Sequence, residues 1–151
     1  MEPFSGRLAR GTREREGIVE ETNKQVVLAY VEAFNRGDSE ALRRLFTEDA
    51  LVYGVLGWGG MDRVIPGWEA LHAAFAIRLE VQSIIAEGDI VAVRYIERGT
   101  SVGPFRGQPA TGKPYEMAAM EWFELRDGRI HRRWGARDSA TQWRQMGLPL
   151  E

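Results

Sequence analysis

From Val26 to Phe34 the apolar residues Val26, Val27, Tyr30, Val31 and Phe34 recur at the three-and-four spacing of a helix that buries one face. Thr22 and Gln25 form a capping-box pattern ahead of them, and Gly37 supplies a stop. Asp38 is then placed to cap a shorter helix carrying Ala41, Leu42, Leu45 and Phe46. LVYGVLGWGG (51–60) reads as a short strand running into a glycine-rich loop. PGWEALHAAFAIRLE (66–80) opens on a proline, which the first turn of a helix accepts, and Trp68, Leu71, His72, Phe75 and Leu79 fall on one side of that helix.

Beyond residue 80 the period changes to that of strands. VQSIIAE and IVAVRYIERGTS flank Gly88-Asp89, and YEMAAMEWFEL and RIHRRW flank Asp127-Gly128. Both are hairpin signatures. VGPFRGQPATGKP (102–114) between them is a long loop, and Ser139 onward suits a terminal helical turn. Helices first, then antiparallel strands, predict an α+β domain with helices packed on one face of a curved sheet. No internal repeat or linker interrupts residues 22–151, which read as one domain. Residues 1–20, MEPFSGRLARGTREREGIVE, carry four arginines and no apolar core, unlike an ordinary secretory signal. The stretch 1–21 is expected to be a disordered basic tail rather than a binding arm.

The second hairpin carries the candidate chemistry. With a two-residue turn at Asp127-Gly128 and an unbroken ladder, one face collects Met117, Ala119, Glu121, Phe123 and Leu125 with Ile130, Arg132, Trp134, Ala136 and Asp138. The other face puts Trp122 beside Arg133 and Ala118 beside Arg137, and its charge suits solvent or a partner. Two carboxylates, Glu121 and Asp138, thus share an apolar face, roughly 13 Å apart along the strands. A cavity would reconcile them with burial, and desolvation there would raise a carboxylate toward the range useful for proton transfer. Two alternatives stay open: a bulge at Gly135 would flip the parity, and Asp138 before Ser139 also suits a helix cap.

Composition narrows the classes. The chain has 151 residues and a net charge of −2, which gives no reason to expect nucleic acid or an anionic membrane surface. It has no cysteine, so disulfides, thiolate catalysis and cysteine metal sites are excluded. Its two histidines, His72 and His131, lie far apart, and no metal is expected. No apolar run reaches the roughly 18 residues of a membrane span, and a cytoplasmic protein is expected.

NKQVVLAYVEAFNRGDSEALRRLFTEDALVY resembles the opening of SnoaL-like polyketide cyclases, of the nuclear transport factor 2-like superfamily. IIAEGDIVAVRYIERGTSVGPFRGQPATGKPYEMAAMEWFELRDGRI resembles their sheet region and GRIHRRWGARDSATQWRQMGL their last strand and tail, so the likeness spans residues 22–148. It implies a cone-shaped α+β barrel, a bent sheet wrapped by helices around a deep pocket. It also implies an intramolecular aldol ring closure in secondary metabolism, with no metal or organic cofactor, and a homodimer. Asp138 matches the family's catalytic aspartate. Glu121 matches a substrate-facing position that is histidine in the anthracycline cyclases.

Trp134, Met117 and Phe123 are expected to line the pocket. Tyr53 is a candidate hydrogen-bond donor to substrate or a core tyrosine, and His72 a packing residue or a second base. Arg94 and Arg98 are expected in solvent, as are Glu69 and Glu80. FRGQPATGK lacks phosphate-loop spacing. Two other readings compete with the cyclase. One is an epoxide hydrolase of the limonene epoxide type, whose Asp–Arg–Asp relay would draw on Arg98 but meets Thr100 where its second acid belongs. The other is a small-molecule binding module of the same fold.

Overall fold

A computed structural model describes residues 4–149, with side chains from residue 11 onward. Four helices, α1 (Phe4–Arg36), α2 (Ser39–Leu45), α3 (Met61–Phe75) and α4 (Ser139–Met146), accompany six strands: β1 (Phe46–Gly54), β2 (Gly57–Gly60), β3 (Arg78–Glu87), β4 (Ile90–Thr100), β5 (Pro114–Arg126) and β6 (Arg129–Arg137). The strands form one sheet in the order β2-β1-β6-β5-β4-β3. Only β1 and β6 run parallel; the remaining pairs are antiparallel. Helices α1 and α3 lie on its inner face, where Val27, Tyr30, Val31, Phe34, Ile65 and Phe75 close over Val91, Val93, Tyr95, Met117, Phe123 and Ile130.

Several local expectations change. Helix α1 begins at Phe4, so residues 4–21 of the expected tail are helical, and residues 1–3 lie outside the described residues. The arginines and glutamates upstream of Thr22 are good helix formers, and a capping box has no orphan N–H groups to serve in mid-helix. Thr22 instead donates back to the Ile18 carbonyl (2.8 Å), and Gln25 donates to Glu21 (3.1 Å). Glu20 accepts from the Gly88 N–H (3.2 Å), and Asn23 donates to its carbonyl (3.4 Å), which ties α1 to the β3–β4 turn. The glycine-rich stretch 57–60 is a strand rather than a loop, and α3 starts at Met61, which places Pro66 in its second turn. That helix ends at Phe75 because Ala76 turns left-handed (φ 48°), so Leu79 and Glu80 belong to β3. Asp38 caps α2 as expected, accepting from the Ala41 N–H at 3.0 Å.

The decisive difference lies in the second hairpin. Asp127 (φ 50°) and Gly128 (φ 77°) form the anticipated primed turn, and Arg126 opposes Arg129 and Leu125 opposes Ile130. Glu124 then opposes Arg132, leaving His131 as an extra residue. Such a bulge turns every later side chain to the opposite face. His131 is held there by β1, its Nδ1 3.2 Å from the Thr47 hydroxyl and 3.7 Å from the Asp49 carboxylate. Arg133, Gly135 and Arg137 consequently face inward, opposite Phe123, Glu121 and Ala119. Arg132, Trp134 and Ala136 face outward.

Asp138 follows β6 as the N-cap of α4. It is exposed, and it accepts the Thr141 N–H (3.2 Å) and the Thr141 hydroxyl (2.6 Å). These hydrogen bonds hold its carboxyl below the ordinary 3.8. A depressed folded value means that this stabilisation is complete above the unfolded value and lost as pH falls through the lowered one. Amide protection factors in α4 should therefore be flat from about pH 7 to 5 and fall in acid below 3.8. Asp138→Asn, which keeps a capping side chain, should abolish that acid-dependent loss in a hydrogen-exchange series.

Candidate active site in the interior

Two buried groups of the same composition stand on the inner face of the sheet. In the first, Glu121 on β5 accepts from the Tyr30 hydroxyl of α1 (3.0 Å) and from the Arg133 guanidinium of β6. Both bonds meet Oε2, and the side chains of Glu121 and Arg133 are 4 % and 10 % exposed. Trp68 of α3 covers the guanidinium, whose carbon lies 5.4 Å from the ring centre. In the second, Glu97 on β4 accepts from the Tyr115 hydroxyl (2.6 Å) and from Arg137 on both oxygens, one bond at 3.0 Å. Gln142 of α4 accepts a further Arg137 N–H at 3.1 Å. Arg133 and Arg137 are four residues apart on β6, so the two groups stand ~14 Å apart along the sheet.

Each group occupies space left by a glycine. A Cβ at Gly135 would lie 2.9–3.1 Å from the Arg133 guanidinium, and one at Gly99 would lie 2.5 Å from both the Phe75 carbonyl oxygen and the Tyr115 ring. Gly135 is therefore no bulge; it is the seat of Arg133 opposite Glu121. Gly99 lets Tyr115 lie across β4 to reach Glu97.

The charges are set by these pairings. Burial works against the Arg133 cation, but the paired Glu121 carboxylate outweighs it and holds the guanidinium more firmly protonated than usual. Burial is the first reason that Tyr30, Tyr95 and Tyr115 remain neutral phenols well beyond the ordinary range. Adjacent carboxylates add to it. Tyr95 stands between the two groups, fully buried beside Glu121, which also raises its phenol, and its hydroxyl makes no well-formed hydrogen bond among the described residues. The interior thus offers guanidinium-paired carboxylates, which can accept a proton, and neutral phenols, which can donate one. A depression of about 550 Å³, open to solvent, lies at the rim of the sheet near the second group, lined by Arg78, Arg98, Gly99, Tyr115, Glu116 and Gln145 among others.

Of the residues singled out from sequence, Glu121, Met117 and Phe123 are in this interior. Asp138 is not, being the exposed cap of α4. Tyr53 and Trp134 lie on the outer face, where Trp58 stacks edge-on against Trp134 (5.3 Å) and tilts over Tyr53 (5.2 Å). The His131 bulge put Trp134 there. His72 is half-buried and braces α3 against α1, its Nε2 donating to the Phe34 carbonyl at 3.0 Å. Arg98 lies on the outer face of β4, paired with Glu80 and Glu116, so it does not supply the inward arginine of an epoxide relay. Sequence reasoning missed Arg133, Arg137, Tyr30, Tyr95, Tyr115, Glu97 and Gln142. Glu97 was readable, since it follows Val91, Val93 and Tyr95 at strand spacing. The arginines were hidden by the bulge.

Breaking one buried pair should be severe. Arg133→Met strands the Glu121 carboxylate and should lower unfolding free energy by about 3–5 kcal/mol in urea denaturation. The double variant Arg133→Met/Glu121→Leu should recover most of that loss. Gly135→Ala, which crowds the same guanidinium, should lose about 1–3 kcal/mol by the same measurement.

Among known proteins, residues 24–146 match the SnoaL-like polyketide cyclase family. IdmH from Streptomyces antibioticus, a candidate polyketide cyclase, is 32 % identical with a TM-score of 0.74, covering 83 % of this chain and 99 % of IdmH. AclR from Streptomyces galilaeus, a candidate hydroxylase, is 27 % identical with a TM-score of 0.78, covering 86 % and 99 %. An LEH-like epoxide hydrolase from M. tuberculosis shares the fold at 15 % identity and a TM-score of 0.68, covering 84 % and 90 %. No curated protein matches by sequence. The match across most of the chain, with the shared helix-wrapped sheet, places this protein in the SnoaL-like polyketide cyclase family.

Proposed function

We propose that this protein closes a ring in a neutral, mostly apolar polyketide by an aldol reaction that needs no metal or organic cofactor, with Glu121 as the acid/base. The observation that carries this reading is a buried carboxylate, held by Arg133 and Tyr30, beside the unpartnered Tyr95 hydroxyl in an aromatic interior. Glu121 removes a proton from carbon alpha to one carbonyl. The resulting carbanion bonds to the carbon of a second carbonyl, whose oxygen accepts a hydrogen bond and then a proton from Tyr95. The proton on Glu121 returns to Tyr95, which restores both groups. Met117 and Phe123 supply apolar wall, and exclusion of water strengthens the polar contacts. Asp138, the family's expected catalyst, serves here to hold α4 rather than to move protons.

The same reading takes the protein as a homodimer. One register row of the outer face runs Trp58, Tyr53, Trp134, Trp122, Ala92 and Ile85, crossing all six strands. Trp58, Tyr53, Trp122 and Ile85 are each more than 40 % exposed. An apolar band of this extent marks a partner surface.

Proton abstraction is measurable before the natural substrate is known, as exchange of the proton alpha to a carbonyl in deuterium oxide, followed by NMR over a panel of polyketide ketones. Glu121→Gln should slow exchange and ring closure by about 10²–10⁴-fold, and Asp138→Asn should leave both within about twofold. The reverse pattern would return catalysis to Asp138. A tight ligand recovered unchanged, with no exchange, would make the protein a binding module. Trp122→Glu should shift the sedimentation coefficient from dimer to monomer; a wild-type monomer at all concentrations would refute the dimer.

A further inference from the structure

The second buried group contains an atom that the reading above leaves unused. Gln142 is 1 % exposed, and its Nε2 has no hydrogen-bond partner among the described residues. Its Oε1 is fixed by the Arg137 N–H at 3.1 Å, because the opposite amide orientation would set donor against donor. Nε2 is a donor only, so its orphaned N–H groups call for an acceptor. A buried donor without one is expensive, and such groups in native structures ask for a partner.

The surroundings restrict the partner's charge. Arg137 is already neutralised by Glu97, which also takes the Tyr115 hydroxyl. An added anion or cation would leave a net buried charge, which an apolar interior disfavours strongly. A neutral oxygen acceptor adds none. A solvent-open depression of about 550 Å³ adjoins this end: it is lined by Tyr115 of this group and by Gln145, one turn along α4 from Gln142, while Gln142 itself lies beneath it, outside the lining. Helix α4 is held over this end by its apolar side, with Trp143 stacked on Phe105 (5.6 Å) and Met146 fully buried. It presents Gln142 inward at a fixed place.

We infer that Gln142, with the Glu97–Arg137–Tyr115 group, forms a second binding site that takes a neutral carbonyl oxygen of the ligand, ~14 Å from the Glu121 group. The site rests on the reading that the interior receives substrate. It gives α4 a role in choosing that substrate: a molecule with a carbonyl at the far end satisfies Nε2, and one without it leaves the amide stranded. Gln142 is a positioning residue here, and Glu121 remains the acid/base.

The test uses the full ¹⁵N-labelled chain and two probes of near-identical shape, 1-indanone and indane, which differ in one carbonyl oxygen. The Gln142 side-chain amide signal is identified by its loss in Gln142→Met. 1-Indanone should move that signal and bind about five- to tenfold more tightly than indane. In Gln142→Met the preference should fall below about twofold. Gln142→Leu also removes the N–H donors and adds no charge, so it should lose the preference too and serves if the methionine variant fails to fold. Equal affinity for the two probes, no binding of 1-indanone, or a preference that survives both substitutions overturns the site; in the first case an ordered water is the partner of Nε2. Glu121→Gln separates the two proposals, because it should abolish alpha-proton exchange and leave the probe preference intact. Loss of the preference in wild type with Glu121-dependent exchange retained would remove this site alone.

Discussion

A guanidinium taken out of water must bring its counter-charge with it, and much of this fold is arranged around meeting that condition twice. Arg133 reaches Glu121 and Arg137 reaches Glu97, across strands that place the partners on one face. Tyrosines complete both carboxylates. These pairs link α1, β4, β5, β6 and α4, so the polar interior ties together elements that apolar packing alone would hold only by shape. Their net contribution to stability is small against a well-packed apolar core of equal volume. What they supply is a defined arrangement of donors and acceptors inside an aromatic shell.

The route from His131 to the interior shows how one residue decides a site. Thr47 and Asp49 of β1 hold the imidazole at the edge of the sheet, and the bulge they stabilise reverses the facing of everything from Arg132 onward. Without it, Trp134 and Ala136 would enter the core and both arginines would stand in solvent. The helix that follows inherits the change: Asp138 reaches its cap position, and Gln142, four residues later, meets Arg137.

Most of the architecture was legible in the sequence. The helical spacing of Val27, Tyr30 and Phe34, the Asp127-Gly128 turn and the alternation in β4 and β5 each led to the observed element. Boundaries failed where local signals pointed two ways: Thr22 and Gln25 form a sound capping pattern that the longer α1 overrides, and Pro66 suits a first turn but sits in a second. The site was half legible. Glu121 and Phe123 lie N-terminal to the bulge in the hairpin ladder and were placed correctly. Trp134 lies beyond it and was not, because a bulge is set by contacts from β1, more than 80 positions away in the chain, and leaves no mark in the alternation itself; of the two placements left open for Asp138, the helix cap is the observed one. The likeness to the family carried the fold correctly, and the residue that it matches to the catalytic aspartate, Asp138, is the exposed cap of α4.

Gly135 and Arg133 lie two residues apart on one strand, yet the glycine exists for the sake of the arginine's head group. This binds their histories together. A lineage that acquires a side chain at Gly135 first displaces the guanidinium, and one that loses Arg133 first isolates Glu121. Viable paths away from this interior begin with the ion pair leaving as a unit, and only then does position 135 become free to vary. Divergence of substrate preference within such a scaffold should therefore proceed in steps of several coupled residues rather than by independent single changes.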